Sequence, residues 1–255
     1  MNIKIYFLGI AFFSFTGLKA QQFINKARIE YEVKANIKKT MGTGSFEEMI
    51  KENLPTFKTG YYTLTFANNK SIFKFDHWDE TVKVPTFLRK SDEENVWYFD
   101  YDTHQFNMQK SVYGSNFSVE DSIKNLEWKL TNENRVIAGF NCRKAVAKIF
   151  DSVYVFAFYT DEITISGGPC SINGLPGMIL GLTIPRLYTS WIATKVMLNG
   201  VDESTIKPVY AKKNYSLKNL KALLDEQTKD WYSDDPEENK EYQQQVARLK
   251  WNTML

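Results

Sequence analysis

The chain of 255 residues is 43% hydrophobic and 24% charged, an ordinary balance for a folded protein and one that excludes disorder. Its 32 basic residues outnumber its 30 acidic ones only through Lys4 and Lys19, so the remainder is neutral and has no bulk electrostatic attraction to nucleic acid or an anionic membrane. Collagen-like, coiled-coil, disulfide-dense and polytopic membrane classes are excluded as well.

Residues 1–20 (MNIKIYFLGIAFFSFTGLKA) begin with a short basic start at Lys4, run apolar from Ile5 to Leu18 and end on Ala20. The run falls short of the roughly 20 residues that cross a bilayer. It reads as a cleaved export signal with Gln21 as the new N-terminus, although Lys19 is an imperfect neighbour for the cut. No cysteine near position 20 could accept a lipid, and no later segment has the length and apolarity to span a membrane. The mature chain, read as one domain over 21–255, is expected outside the cytoplasm, where disulfides persist. Cys142 and Cys170 then have two readings: one bridge, contributing roughly 3 kcal/mol by closing the intervening loop, or two buried thiols.

From there the chain reads as many short strands. Residues 27–35 alternate Ile29, Tyr31 and Val33 against Arg28, Glu30 and Glu32, the period of a half-buried strand. Ser45 and Glu48 form a capping-box pattern for a helix over 46–53, which Pro55 helps to end. Strand patterns follow at 60–67, 70–76, 95–101, 105–113, 126–130 and 143–149, separated by turn signals at Asn68-Asn69, Asp102-Thr103 and Asn132-Glu133-Asn134. Such spacing suits consecutive antiparallel strands, because parallel ones need longer crossovers. Residues 153–159 (VYVFAFY) are apolar on both faces, so this strand is either covered on both sides or lines a hydrophobic cavity. After strands at 178–184 and 188–198, Ser216 caps a helix to about 231 and Asp235-Pro236 opens a polar one over 236–251. The fold class is therefore α+β and β-dominated: a curved antiparallel sheet with C-terminal helices.

Residues 167–184 (GGPCSINGLPGMILGLTI) pack glycine and proline at a density no regular element tolerates. Gly174 and Gly177 permit positive φ, Pro176 stiffens the bend, and Leu175 is presented as an apolar knob leading into Met178. Such a corner either plugs a core or offers backbone groups and an apolar tip to a ligand or partner. The turn at Pro185-Arg186-Leu187 places Arg186 near it, and Arg186 and Lys144 are the cations that could meet an anionic group there.

The run Gly174-Leu175-Pro176-Gly177-Met178-Ile179 resembles the signature of the GLPGLI family, exported proteins of the Bacteroidota, with Met178 where that motif has leucine. Upstream, Trp128, Ile137, Gly139-Phe140, Cys142 and Lys144-Ala145 match a second family stretch, with Phe140 in place of tyrosine. Phe158-Tyr159-Thr160, Glu162-Ile163 and Gly168-Pro169 match further positions, while Cys170 departs from the pattern. The resemblance covers roughly 120–198. It implies a cell-envelope protein associated with outer-membrane, TonB-dependent uptake and a β-rich fold similar to the half-barrel of periplasmic lipoprotein carriers. It supplies no catalytic residues.

The residues themselves announce no chemistry either. His77 and Asp79 share a strand face, but two ligands do not make a metal site and His104 would have to arrive from elsewhere. No G-x-S-x-G elbow, phosphate loop or dinucleotide fingerprint is present, and no cofactor is implied. Carboxylate pairs are assembled by the fold, so an unrecognised hydrolase stays open. Trp78, Trp97 and Trp191 read as core or as a carbohydrate or peptide platform. The expected function is an exported, non-catalytic envelope protein that acts by binding. It would be an accessory docking an outer-membrane partner through Gly174, Leu175, Pro176, Gly177, Met178 and Arg186; the alternative is a periplasmic carrier of an apolar or lipid-like ligand. Sequencing the secreted protein should find Gln21 first, whereas an intact Met1 in a detergent-requiring protein would refute the export reading.

Overall fold

The computed structural model describes residues 24–42, 45–112, 114–150, 152–231 and 234–255, so the expected signal and its cleavage site lie outside the described residues. All strands join one open, curved sheet built from two antiparallel meanders. The first contains β1 (Ala27–Asn36), β2 (Phe57–Ala67), β3 (Lys70–Trp78), β4 (Val96–Asp100), β5 (Gln105–Val112) and β6 (Ser115–Ser122). The second contains β7 (Lys129–Ile137), β8 (Phe140–Ile149), β9 (Val153–Thr160), β10 (Met178–Ile184) and β11 (Thr189–Met197). β1 pairs with both β2 and β11 and so joins the two halves; the two-residue β12 (Asn214–Tyr215) adds to β6 in parallel. The helices are α1 (Ile37–Thr40), α2 (Ser45–Asn53), α3 (Lys90–Glu93), α4 (Leu217–Gln227) and α5 (Pro236–Met254).

Local chemistry accounts for most of these boundaries. Asn68 and Asn69 both take left-handed conformations (φ 50° and 53°), the pair of positive φ values that matches a tight hairpin to the twist of its strands. Between β4 and β5, the Asp100 carboxylate accepts from the Asp102 and Thr103 amides. Ser216 caps α4 through the Asn219 amide, and Leu220 and Leu224 are its buried face. The Asn132-Glu133-Asn134 triplet, expected as a turn, instead lies inside β7, where the register with β8 breaks between Leu130 and Asn134. The true turn is Ala138-Gly139, again with both φ values positive. β7 is an edge strand exposed along most of its length, so no apolar alternation marks it. β6, which the sequence reading missed, is marked inward by only Phe117 and Val119.

The hollow of the sheet is filled by the segment between β9 and β10. Ile163, Ile165, Cys170, Ile172 and Leu175 from this segment are all buried. Each buried aliphatic side chain of this size contributes about 1.5–3 kcal/mol by leaving water. Burying irregular backbone is ordinarily costly, because its N–H and C=O groups need partners. Here they have them: Met178 N donates to Ile163 O, Ile179 N to Gly167 O and Ser171 N to Leu255 O. The Trp128 indole donates to Asn173 O (2.9 Å), and the Tyr31 hydroxyl reaches from β1 to Ile179 O (2.7 Å) where the β9–β10 register breaks. At Gly177 (φ 143°) a Cβ would stand 2.0 Å from the Thr160 carbonyl oxygen, so only glycine fits.

Strand β9 follows neither reading of its two apolar faces. Val153, Val155 and Ala157 are fully buried, whereas on the outer face Phe158 and Phe156 lie under the charged groups of Arg135 (4.5 Å) and Lys144 (5.5 Å). Cationic side chains cover part of that face, Phe158 also joins the core cluster, and Tyr154 at the far end is exposed. Two substitutions separate backbone conformation from packing. Gly139→Ala, at a positive φ with open space around it, should cost about 1 kcal/mol in urea unfolding. Gly177→Ala should cost upwards of about 3 kcal/mol, because it adds a clash with Thr160 to the conformational strain.

Candidate functional site

The Gly-Pro corner folds inward. Leu175 and Met178 are fully buried and only Pro176 of the Gly174–Met178 run is exposed, so Leu175 is a core plug and not a knob offered to a partner. Arg186 sits in the β10–β11 turn with its guanidinium 5.6 Å from the Trp251 ring, and Lys144 is paired with Glu133. Neither cation is directed at the corner. The bridge allowed between Cys142 and Cys170 is not formed: Cys142 lies in β8 and Cys170 in the buried loop, both as free thiols. Burial pushes Cys142 up to about 11 and Cys170 up to about 12.

The plug leaves space on two sides. A cleft of about 1370 Å³ lies between the sheet, loop residues Ser171–Asn173 and helices α4 and α5. Its apolar wall includes Phe99, Phe106, Ile149, Ile172, Trp251 and Met254. Its rim is basic. Lys221 and Lys250 share Asp225 and thereby tie α4 to α5, while Lys124, Lys148 and Lys218 have no acidic partner among the described residues. The helix expected to be merely polar over 236–251 runs to Met254, and its last turn inserts Trp251 and Met254 into this wall.

A second cavity, about 520 Å³, lies on the other side of the loop beside Cys170. Trp78, Trp97 and Trp191 all line it, so the structure brings together the three tryptophans that sequence reasoning grouped as core or platform. Trp97 and Trp191 are core residues as well as cavity wall, with the Trp97 indole donating to Leu255 O (2.9 Å), and Trp78 is half-buried. Lys110 also lines this cavity, and sequence reasoning passed over it.

The titratable groups elsewhere read as structural. Asp79 and Asp202 are held below the ordinary carboxylate range by the hydroxyls and amides of Thr81 and Ser204, and Asp225 by Lys250 and Lys221. Glu133 is lowered by Lys144 and Arg135. No buried Asp or Glu occurs among the described residues. His77 stacks on Tyr61 (4.6 Å between centroids) and bonds Asp76, and His104 bonds the Tyr101 carbonyl. Among the described residues no three His, Cys, Asp or Glu side chains converge as metal ligands.

With this geometry in hand, comparison with known proteins is informative. Residues 63–222 match the family model for the N-glycanase peptide N-terminal domain of the PNGase F-II type. The chain belongs to this family. The family segment runs from β2 to α4, so it contains the buried loop and one wall of the cleft but neither β1 nor α5. Two solved structures of PNGF-II, in space groups C2 and P21, are similar to 78% of the chain at 15% and 14% identity, with TM-scores of 0.50 and 0.51. At that identity the likeness is one of fold. The aligned part amounts to 32% and 33% of those chains, so this chain spans about a third of their length. No curated protein matches the sequence.

Thiol titration tests the cysteine assignment. With both thiols buried and raised to about 11 and about 12, the native protein should show no reactive thiolate at pH 8 and should release two thiols when unfolded without reductant. A count of zero after unfolding would restore the bridge.

Proposed function

We propose that this family member is an exported, non-catalytic binding protein that holds an anionic amphiphile in the cleft between its sheet and C-terminal helices. The apolar tail lies against Phe99, Phe106 and Ile172, and the head group meets Lys124, Lys148 and Lys218. One observation carries the reading: an apolar-walled cleft of about 1370 Å³ whose rim holds three lysines with no acidic partner among the described residues. Ligand sites commonly run to roughly 300–1,000 Å³, so this one has room for a long acyl chain. Unanswered lysines at the rim of an apolar surface add little to folding, since they are exposed and screened. They do offer charge complementarity to a carboxylate or sulfate head.

The reading favours the carrier alternative over partner docking, because Leu175 and Met178 are interior side chains unable to meet another protein. The family description suits a supporting role, since it names an N-terminal domain of an N-glycanase rather than the whole enzyme. Export rests on residues 1–20, and a cell-envelope setting would supply lipid-like molecules.

Calorimetric titration with palmitate below its micelle concentration checks the proposal. Saturable binding of one molecule per chain is expected. The double substitution Lys148→Glu with Lys218→Glu should weaken it at least tenfold, about 1.4 kcal/mol, without changing the melting temperature. Hexadecanol, which lacks the charge, should be indifferent to the double substitution, and Ala247→Trp should weaken both ligands by filling the cleft. Failure of folded wild-type protein to bind palmitate or dodecyl sulfate saturably would overturn the reading.

A further inference from the structure

Strand β5 sends Phe106, Met108 and Lys110 to one face of the sheet, so a lysine occupies a position whose neighbours along the strand are core residues. Lys110 is 6% exposed and lines the 520 Å³ cavity. Its ammonium lies 4.6 Å from the Trp97 ring centroid, and among the described residues no carboxylate pairs with it. Asp92 contributes favourable charge from α3, but its carboxylate is bonded to Lys58. Buried ammonium groups are normally paired. This one faces an open-sided space whose flat walls are Trp78, Trp97 and Trp191 and whose rim carries the exposed Phe87.

We propose that Lys110 and the three indoles form a binding site for a ring-bearing monocarboxylate, which makes the direct ion pair that no carboxylate of the described residues makes with Lys110. Lys110 is the one buried ammonium of the site, since Lys58 is engaged with Asp92 and Lys90 is exposed to solvent; one buried positive charge matches a monocarboxylate better than a phosphate dianion. Indole faces favour a flat or ring-shaped partner over an acyl chain. The amides of Asn95 and Asn252 at the cavity wall offer polar contacts to ring substituents. The site is separate from the amphiphile cleft, so either can fail without the other.

Burial lowers Lys110 to about 8, so the site is charged at neutral pH and loses its charge as pH rises through that value. The other titratable groups facing it are Asp92 and Lys90 of α3, Lys58 and Tyr62 of β2, Cys170 of the loop and the main-chain carboxylate at Leu255, which stays ionised across this pH range. Burial holds Tyr62 well above its ordinary value and Cys170 at about 12, so neither titrates near pH 8, and Asp92 and Lys58 answer one another.

Phenylacetate and glucuronate, with phenylacetamide and glucose as their neutral counterparts, are titrated against the tryptophan fluorescence of the full chain. At least one acid is expected to bind at pH 7, at least tenfold tighter than its neutral counterpart. Which one does so distinguishes an aryl acid from a sugar acid. Affinity should be flat between pH 6 and 7.5 and fall about tenfold per unit above pH 8. Lys110→Met should weaken acid binding at least tenfold and leave the melting temperature unchanged or raised, since it removes an unpaired buried charge. If that variant does not fold, the wild-type pH profile decides. Binding of neither acid to folded protein, a flat profile from pH 7 to 9.5, or undiminished binding by Lys110→Met would each overturn the assignment.

Discussion

A curved sheet of this breadth has an apolar hollow that must be covered, and here an irregular loop fills it. That choice constrains the rest of the molecule. Every polar backbone group carried into the hollow needs a partner, which is why Tyr31, Trp128 and Leu255, from three distant parts of the chain, all point polar atoms at the loop or at the strand it enters. The loop also passes so close to Thr160 that Gly177 cannot carry a side chain. The glycines and prolines of this segment are thus consequences of a burial problem, and their density does not by itself mark a contact surface.

A loop is a less complete filler than a helix layer, because its side chains leave its path at irregular intervals. The unfilled space is divided by the loop itself: Cys170 borders the tryptophan-lined cavity, and the next residues, Ser171–Asn173, border the amphipathic cleft. Leu255 lines both. The C-terminal helices complete the cleft through the Asp225 bridge to Lys221 and Lys250 and through the apolar last turn of α5. Both spaces therefore owe their shape to the same packing compromise, while their chemistry differs: a basic rim over aliphatic and aromatic walls in one, a single buried cation among indoles in the other.

Charge follows the same division between surface and interior. The chain outside its first twenty residues is neutral, yet the neutrality is not uniform. Acidic groups are spent locally on turns and lysine pairs, as at Asp79, Asp202 and Glu133. Lysines are left over around the cleft and, in one case, inside the cavity. Local imbalance on a neutral whole suits recognition of small charged ligands better than attraction to a polyanion.

Period-two alternation placed β1, β3 and β5 within a residue or two, and capping residues placed the starts of α4 and α5, because those signals are local and rest on solvent contact on one face. The alternation also held Lys110 in plain view, on the same face as Phe106 and Met108, although one strand alone cannot say whether such a lysine snorkels to water. Edge strand β7 and the two-residue β12 left no such trace, since a strand exposed on both faces has no apolar period. The composition of residues 167–184 established that this segment is irregular. Whether Leu175 points inward or outward depended on the core it joins, which is assembled from both halves of the sheet, from α4 and from Leu255, remote in sequence. The same holds for the cysteines, whose side chains are compatible with a bridge or with two separate thiols until the fold sets one in β8 and the other beneath the sheet.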